Sequence, residues 1–223
     1  MRPIILVTSC HSYRNIGYED AIRSTWVRKC TIDYRFVLGG DADNPARDEW
    51  FFDVPDDYAH VTLKTIAGHA RAVEEGYDFV FQCFLDTYVN VPRILASDFH
   101  RWDYVGFFKG HDGEPSREPD VYGRYAYACG GSGYWLSRDA SEVVARTPIE
   151  LDDMELALWA EDLWVGTAIG RAGIFGHNEP RYREPGRWYV EHGSEVFSAH
   201  LGHGTGNYHP SQMRDAHRRL SHT

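Results

Sequence analysis

Short apolar runs alternate with amphipathic stretches along the first two thirds of this chain, the pattern of an α/β protein. Ile4-Ile5-Leu6-Val7 reads as a strand ending in the small polar residues Thr8-Ser9-Cys10. Glu19 to Val27 reads as a helix, and Tyr34-Arg35-Phe36-Val37-Leu38 as a second strand stopped by Gly39-Gly40. Strand, helix, strand at this spacing is a βαβ unit, so the sheet begins parallel. Asp41 to Arg47 is a polar loop and Phe51 to Tyr58 a short extended piece. Val61 to Glu75 reads as a helix with Ile66, Ala70 and Val73 at helical spacing and Gly76 as its C-cap.

Val80-Phe81-Gln82-Cys83-Phe84-Leu85 is a nearly unbroken apolar run that stops on Asp86. Ligands of open α/β sheets bind beyond the carboxyl ends of the strands, so Asp86 is placed where a metal ion or sugar nucleotide would be held. A turn at Asn90-Val91-Pro92 leads to a short helix, then Tyr104 to Phe108 reads as a strand. Lys109 to Arg124 is rich in Gly, Pro and charge, as binding loops and lids are. Tyr125 to Leu136 reads as a strand region broken by Gly130-Gly131-Ser132-Gly133, which either lets backbone approach a ligand or only bends the strand. Ser141 to Arg146 and Leu151 to Gly170 are helical in pattern, and from Gly176 the periodicity fades. There is no internal repeat and no linker, so one domain over 1–223 is expected.

Leu151, Met154, Leu158, Asp162, Val165 and Ile169 fall on one helical stripe, which puts Asp162 where the pattern reserves an apolar side chain. A buried carboxylate must be bonded, neutralised or lining a cavity. Alternatively the helix is two pieces, and Glu161 or Asp162 caps the second. Asp56-Asp57-Tyr58 is either a loop cluster or a cap for the next helix. Of twelve histidines, His192, His200, His203, His209, His217 and His222 lie near the C-terminus. His200 and His203 sit in a Gly-rich stretch that could fold across a site, as metal ligands or as ordinary surface histidines.

Composition narrows the classes. The chain of 223 residues is 43% hydrophobic and 25% charged, with a net charge of −10. No Lys/Arg-rich run occurs before Arg214 to Arg219, which disfavours nucleic acid as a partner. Seven Trp and fourteen Tyr suit sugar-stacking clefts, but they suit an aromatic core better. Cys10, Cys30, Cys83 and Cys129 match neither a zinc nor a redox pattern, and Cys83 reads as a buried thiol. Met1-Arg2-Pro3 runs straight into the first strand, too short for a signal peptide or membrane anchor, so a cytoplasmic protein is expected if Met1 is the native start.

Six segments, in order, resemble the β-1,3-galactosyltransferase and Fringe-like superfamily of inverting glycosyltransferases. Ala21-Ile22-Arg23-Ser24-Thr25-Trp26 is similar to its A-I-R-x-T-W, and Phe36-Val37-Leu38-Gly39 to its second strand. Asp56-Asp57-Tyr58 with Leu63-Lys64-Thr65 is similar to D-D-Y-x-N-L-T-x-K-T. Thr87-Tyr88-Val89-Asn90-Val91 resembles the tail of D-D-D-x-[FY]-V-N-V. Tyr127 to Ser137 resembles Y-x-x-G-x-G-Y-[VL]-[LM]-S, and Glu161-Asp162-Leu163-Trp164-Val165-Gly166 resembles E-D-V-x-x-G.

The resemblance implies a GT-A-like (Rossmann-like) α/β domain, with a mixed, mostly parallel central sheet flanked by helices. Residues 1–90 would form the nucleotide-sugar half, and residues 91–223 the acceptor half with its His-rich end. It implies a nucleotide-sugar donor, usually a UDP-sugar, bound by Thr8, Ser9, Cys10, Arg23, Gly39, Lys64, Phe84, Leu85 and Asp86. Asp162 would be the general base that deprotonates an acceptor hydroxyl on a glycan, glycoprotein or small molecule. Gly130, Gly131, Ser132 and Glu161 would lie against donor or acceptor, and Lys109 to Arg124 would help shape the acceptor cleft. Where the family carries three acids this chain has Phe84-Leu85-Asp86. Asp86 with His200 would hold Mn²⁺ or Mg²⁺, helped by diphosphate oxygens. Phe84 and Leu85 remove ribose or water-mediated contacts, so a metal-independent transferase or a carbohydrate-binding relative without catalysis are the competing readings.

Overall fold

A computed structural model describes residues 1–41, 45–111, 113–150, 154–183, 195–202 and 208–221. His203, which the sequence left open as a metal ligand or a surface histidine, together with His192, His222 and the stripe residue Leu151, lies outside the described residues.

In chain order the elements are β1 (Pro3–Thr8), α1 (His11–Arg14), α2 (Tyr18–Arg23), β2 (Asp33–Gly39), β3 (Glu49–Phe52), α3 (Val61–Glu74), β4 (Phe79–Phe84), β5 (Thr87–Val89) and α4 (Val91–Ala96). There follow β6 (Tyr104–Gly106), β7 (Tyr134–Ser137), α5 (Arg138–Arg146), α6 (Met154–Trp159), α7 (Glu161–Arg171), β8 (His177–Asn178), β9 (Tyr182–Arg183), β10 (Ser198–His200) and α8 (Pro210–Leu220). Among the described residues, seven strands make one sheet in the order β3-β2-β1-β4-β7-β6-β8. β3, β2, β1 and β4 are mutually parallel, whereas β7 runs antiparallel to both β4 and β6. A small sheet, β5-β10-β9, stands beyond the end of β4.

β1 reads as an unbroken apolar run because it is covered on both faces, and Ile4 to Val7 are fully buried. Thr8 pairs in register with Phe84 and with Val37, so β1 and β4 end level, β2 runs two residues further to Gly39, and the three carboxyl ends share one edge. Because β7 is antiparallel, with Gln82 opposite Tyr134, the glycine segment ahead of it starts at that same edge. Gly133 makes the turn at φ +76°, where an added Cβ would stand 2.5 Å from the Phe81 ring. Most of the described tryptophans serve the core: Trp26, Trp50, Trp135 and Trp164 are buried, with Trp135 stacked on Phe99 at 4.0 Å, whereas Trp102 is exposed.

Several boundaries differ from the pattern-based expectation. The first long helix ends at Arg23, and Trp26–Lys29 is a separate 3₁₀ turn. Between them the Thr25 hydroxyl bonds the Ala21 carbonyl at 2.6 Å, competing with the helix ladder. In α3 the buried face is Thr62, Lys64, Thr65, Gly68, His69 and Ala72 rather than Ile66, Ala70 and Val73, and Ala70 is exposed. Gly68 lets the helix lie close on the sheet, where an added Cβ would stand 3.2 Å from Leu6, and this turns polar residues inward. The region Tyr125 to Leu136 forms a strand only from Tyr134, and Tyr104 to Phe108 only as far as Gly106. The expected helix from Leu151 is two helices, broken at Ala160 (φ −143°, ψ 71°). The C-terminal segment, which showed no pattern, contains α8. Met213, Ala216 and Leu220 are its buried stripe, and His209 caps it reciprocally with Gln212. The cysteines are all free, and among the described residues no helix is long and apolar enough to cross a membrane.

Candidate active site

The level strand ends open into a cleft of about 390 Å³. Thr8, Ser9, Cys10, Lys64, Phe84, Leu85, Asp86, Gly130, Gly131, Glu161, Asp162 and His200 all line it, so most of the residues named from the sequence meet in one place. Arg23, Gly39 and Ser132 do not line it.

The floor shows why. Gly39 approaches Val54 and Pro55 so closely that an added Cβ would stand 2.5 Å from the Val54 carbonyl. Its N–H donates to Asp56 Oδ1 at 2.8 Å, so its amide is engaged within the protein. Asp56 ties three loops together: it also accepts from the His11 N–H at 2.5 Å and from Lys64 Nζ at 3.2 Å. Lys64 is buried and donates to the Ser9 carbonyl at 2.7 Å. Asp57 caps the turn before α3 through the His60 N–H, so the Asp56-Asp57 pair is both a loop hub and a cap. Arg23 belongs to a network with Asp48, Glu49 and Glu19. Glu19 in turn accepts the Ser9 hydroxyl at 2.6 Å, so Arg23 reaches the cleft only through Glu19 and Ser9. Burial pushes the Glu19 carboxyl up to about 7 against the pull of Ser9 and Arg23. Ser132 is buried beneath the glycine turn, where its carbonyl accepts from the Ser198 hydroxyl.

Asp86 follows β4 in a tight turn that Thr87 secures, its hydroxyl accepting the Phe84 N–H at 3.1 Å and donating to the Gly131 carbonyl at 2.9 Å. Leu201 N–H bonds the Asp86 carbonyl at 2.8 Å, which brings His200 Nε2 to 2.8 Å from Asp86 Oδ2. Gly131 and Gly202 form a cradle around the pair: a Cβ at 131 would overlap the imidazole, and one at 202 would overlap the carboxylate. Gly131→Ala is therefore expected to cost about 1–3 kcal/mol by overpacking. Thermal melts of both proteins check this, and an unchanged melting temperature would rule out the close approach.

Carboxylate and imidazole converging across a glycine cradle are donors that suit a divalent cation, so the pair fits the expected metal as a two-residue ligand set. Among the described residues no group of three or more His, Cys, Asp or Glu is placed to hold an ion. Leu85 is turned into the hydrophobic core, and the Phe84 ring packs where a Cβ on Gly130 would stand 2.8 Å away.

Opposite Asp86, the first turn of α7 presents Asp162. Its Oδ2 accepts the Gly130 N–H at 3.0 Å and its Oδ1 the Leu163 N–H at 2.9 Å. It is half-buried and faces the cleft, and neither it nor Glu161 caps the helix, whose N-cap is Ala160. Glu161 is the fully buried acid of the two, at 4% exposure. Leu163 lines a second cleft, also of about 390 Å³, with Lys109, Arg124, Tyr125 and Tyr127, so neighbouring residues at the start of α7 line the two clefts.

The sequence pattern gave no site role to the tyrosines here, although Tyr58 falls within the Asp56-Asp57-Tyr58 segment. Tyr13, Tyr18, Tyr58 and Tyr208 line the main cleft, and Tyr13 and Tyr58 are largely exposed. Tyr18 packs between Tyr13 and Tyr208 with ring centroids 4.9 and 5.1 Å away, and its hydroxyl donates to the Tyr208 carbonyl at 2.6 Å.

No family model matches the chain. Beta-1,3-galactosyltransferase 1 of Mus musculus and that of Homo sapiens are each 24% identical to it over 205 residues, covering 77% of this chain. The chain spans about 60% of the length of these curated relatives. Two solved structures superpose over nearly the whole chain. One is a glycosyltransferase involved in the glycosylation of the major capsid of PBCV-1, with a TM-score of 0.56, 11% identity and full coverage of both chains. The other is the galactosyltransferase LgtC in complex with donor and acceptor sugar analogs, with a TM-score of 0.54 and 12% identity over 99% of this chain and 96% of that one. The fold is that of the GT-A glycosyltransferases.

Proposed function

We propose that this chain transfers a sugar from a nucleotide-sugar donor, a UDP-sugar, to an acceptor hydroxyl with inversion at the anomeric carbon, and that Asp162 is the general base. The observation that carries the reading is the placement of Asp162 and Asp86 on one cleft at the level carboxyl ends of β1 and β4. The donor occupies the main cleft. Tyr13 and Tyr58 offer it aromatic faces, and Lys64, with two of its three N–H groups directed at Ser9 and Asp56, offers it a positive charge. The acceptor enters from the second cleft, which is lined by Leu163 beside the base.

A hydroxyl is a poor nucleophile until its proton can leave. Two amides, of Gly130 and Leu163, orient the Asp162 carboxylate, and each oxygen can accept a further hydrogen bond. The acceptor oxygen bonds the anomeric carbon, its proton passes to Asp162, and the bond from that carbon to the diphosphate breaks. Asp86 and His200 would hold a divalent cation that, when bound, offsets the charge on the leaving diphosphate.

A panel of UDP-, GDP- and TDP-sugars, each with Mn²⁺ or with chelator, tests the assignment through nucleotide release and through the anomeric configuration of the product by NMR. Release is expected with a UDP-sugar in the presence of metal, with the anomer inverted. A retained anomer would sink the role of Asp162. Glycan binding with no release from any donor would favour a carbohydrate-binding protein instead.

A further inference from the structure

Among the described residues, Glu161 is an acid with no cationic partner facing it. Its Oε1 accepts the Tyr134 hydroxyl at 2.7 Å, while its Oε2 is buried and has no hydrogen-bond partner among the described residues. The Thr65 hydroxyl stands beside it without closing a bond of ordinary geometry. The titratable groups facing Glu161 are Tyr134 and Tyr104 from the sheet, Tyr58 from the turn before α3, and Asp162 next to it on α7. All are neutral or negative near neutral pH. Lys64 of α3 lines the same cleft but is directed at Ser9 and Asp56. His69 of α3 faces Ser141 on α5, and burial holds it neutral.

A helix N-terminus favours an anion, and here Asp162 is that anion, bonded by the amides of Gly130 and Leu163. A second negative charge beside it, out of water, is opposed both by desolvation and by repulsion. These two causes, burial first, push the Glu161 carboxyl up to about 8. The packing around it is close, since a Cβ on Gly130 would stand 3.3 Å from Oε2.

We propose that Glu161 is an uncharged carboxylic acid in the working protein, a positioning residue that pins the first turn of α7 to Tyr134 and holds Asp162 as the one charged member of the pair. This rests on the reading of Asp162 as base, but its protonation can be tested without that reading. The folded protein keeps a proton on Glu161 that the unfolded chain releases near the ordinary value of 4.5, so the wild type loses stability as pH rises from there through about 8. Glu161→Gln removes that loss and keeps the shape. Melting temperatures of the two full-length proteins are compared from pH 5 to pH 9. The advantage of the Gln variant over wild type is expected to widen by on the order of 10 °C. A constant difference would overturn the proposal.

Kinetics test the positioning role. Glu161→Ala is expected to lower kcat about tenfold or more with KM unchanged, and Glu161→Gln to restore it to within about threefold of wild type. A Gln variant as slow as the Ala variant would overturn the proposal, because it would show that the acid's charge or proton is used. If the wild type turns over no donor, the role of Asp162 falls, and the melting comparison alone decides whether Glu161 is charged.

Discussion

Asp162→Asn is expected to lower kcat by about 10²–10⁴-fold while leaving donor KM within a small factor of wild type. The substitution is close to isosteric. Asn can still accept the Gly130 or the Leu163 amide through its carbonyl, so the start of α7 should stay folded. What it loses is the ability to take a proton from the acceptor. The affected step is the transfer itself, so the loss belongs in kcat and not in donor binding. Circular dichroism and melting temperature establish that the variant is folded, and initial rates of nucleotide release with saturating acceptor measure the effect. Activity undiminished in the variant would remove Asp162 as base, and with it the argument for direct displacement.

Asp86→Ala should have the second-largest effect, a loss of about 10²-fold or more in kcat/KM at fixed Mn²⁺. The informative comparison is with chelator. Chelator should depress the wild type to the level of the variant and have little further effect on Asp86→Ala, because both act on the same interaction. His200→Ala should behave similarly, since its imidazole shares the cradle formed by Gly131 and Gly202. The competing role for the Asp86–His200 contact is structural, tying β10 to the turn after β4. In that case both variants would lose stability, while full activity in chelator would show that no metal takes part. Phe84 and Leu85 stand where the β-1,3-galactosyltransferases that the chain resembles carry two further acids, which sharpens the question. Leu85 is core and Phe84 packs on the glycine segment, so neither can supply the missing ligands.

Arg23 and Asp162 show two ways in which local pattern fell short. Arg23 lay in a motif that implied donor contact, yet Asp48, Glu49 and Glu19 surround its guanidinium, and it meets the cleft only at second hand. A network drawn from residues up to 26 positions apart is invisible to spacing. Asp162 sat on an apparent apolar stripe that assumed a continuous helix, but the break at Ala160 resets the phase, and Glu161 becomes the buried acid. The same limitation hid α8, whose stripe of Met213, Ala216 and Leu220 is diluted by arginines and histidines on the solvent face. The inward face of α3 was hidden too, because Gly68 rather than a large apolar residue marks the contact.

By itself the sequence determined the α/β class, the parallel start of the sheet and the acid at the end of β4. Those features are written in short-range patterning: a strand buried on both faces must be apolar throughout, and it stops where a polar residue meets the crevice. Only the tertiary structure decided which polar residues meet. Bringing Gly131, Gly202 and His200 against Asp86 requires β7 and β10 to arrive from distant parts of the chain, and their register depends on long-range pairing that no local window contains. It likewise decided that of two adjacent acids Asp162 faces the cleft while Glu161 is buried, since one residue of rotation at a helix start separates solvent from core.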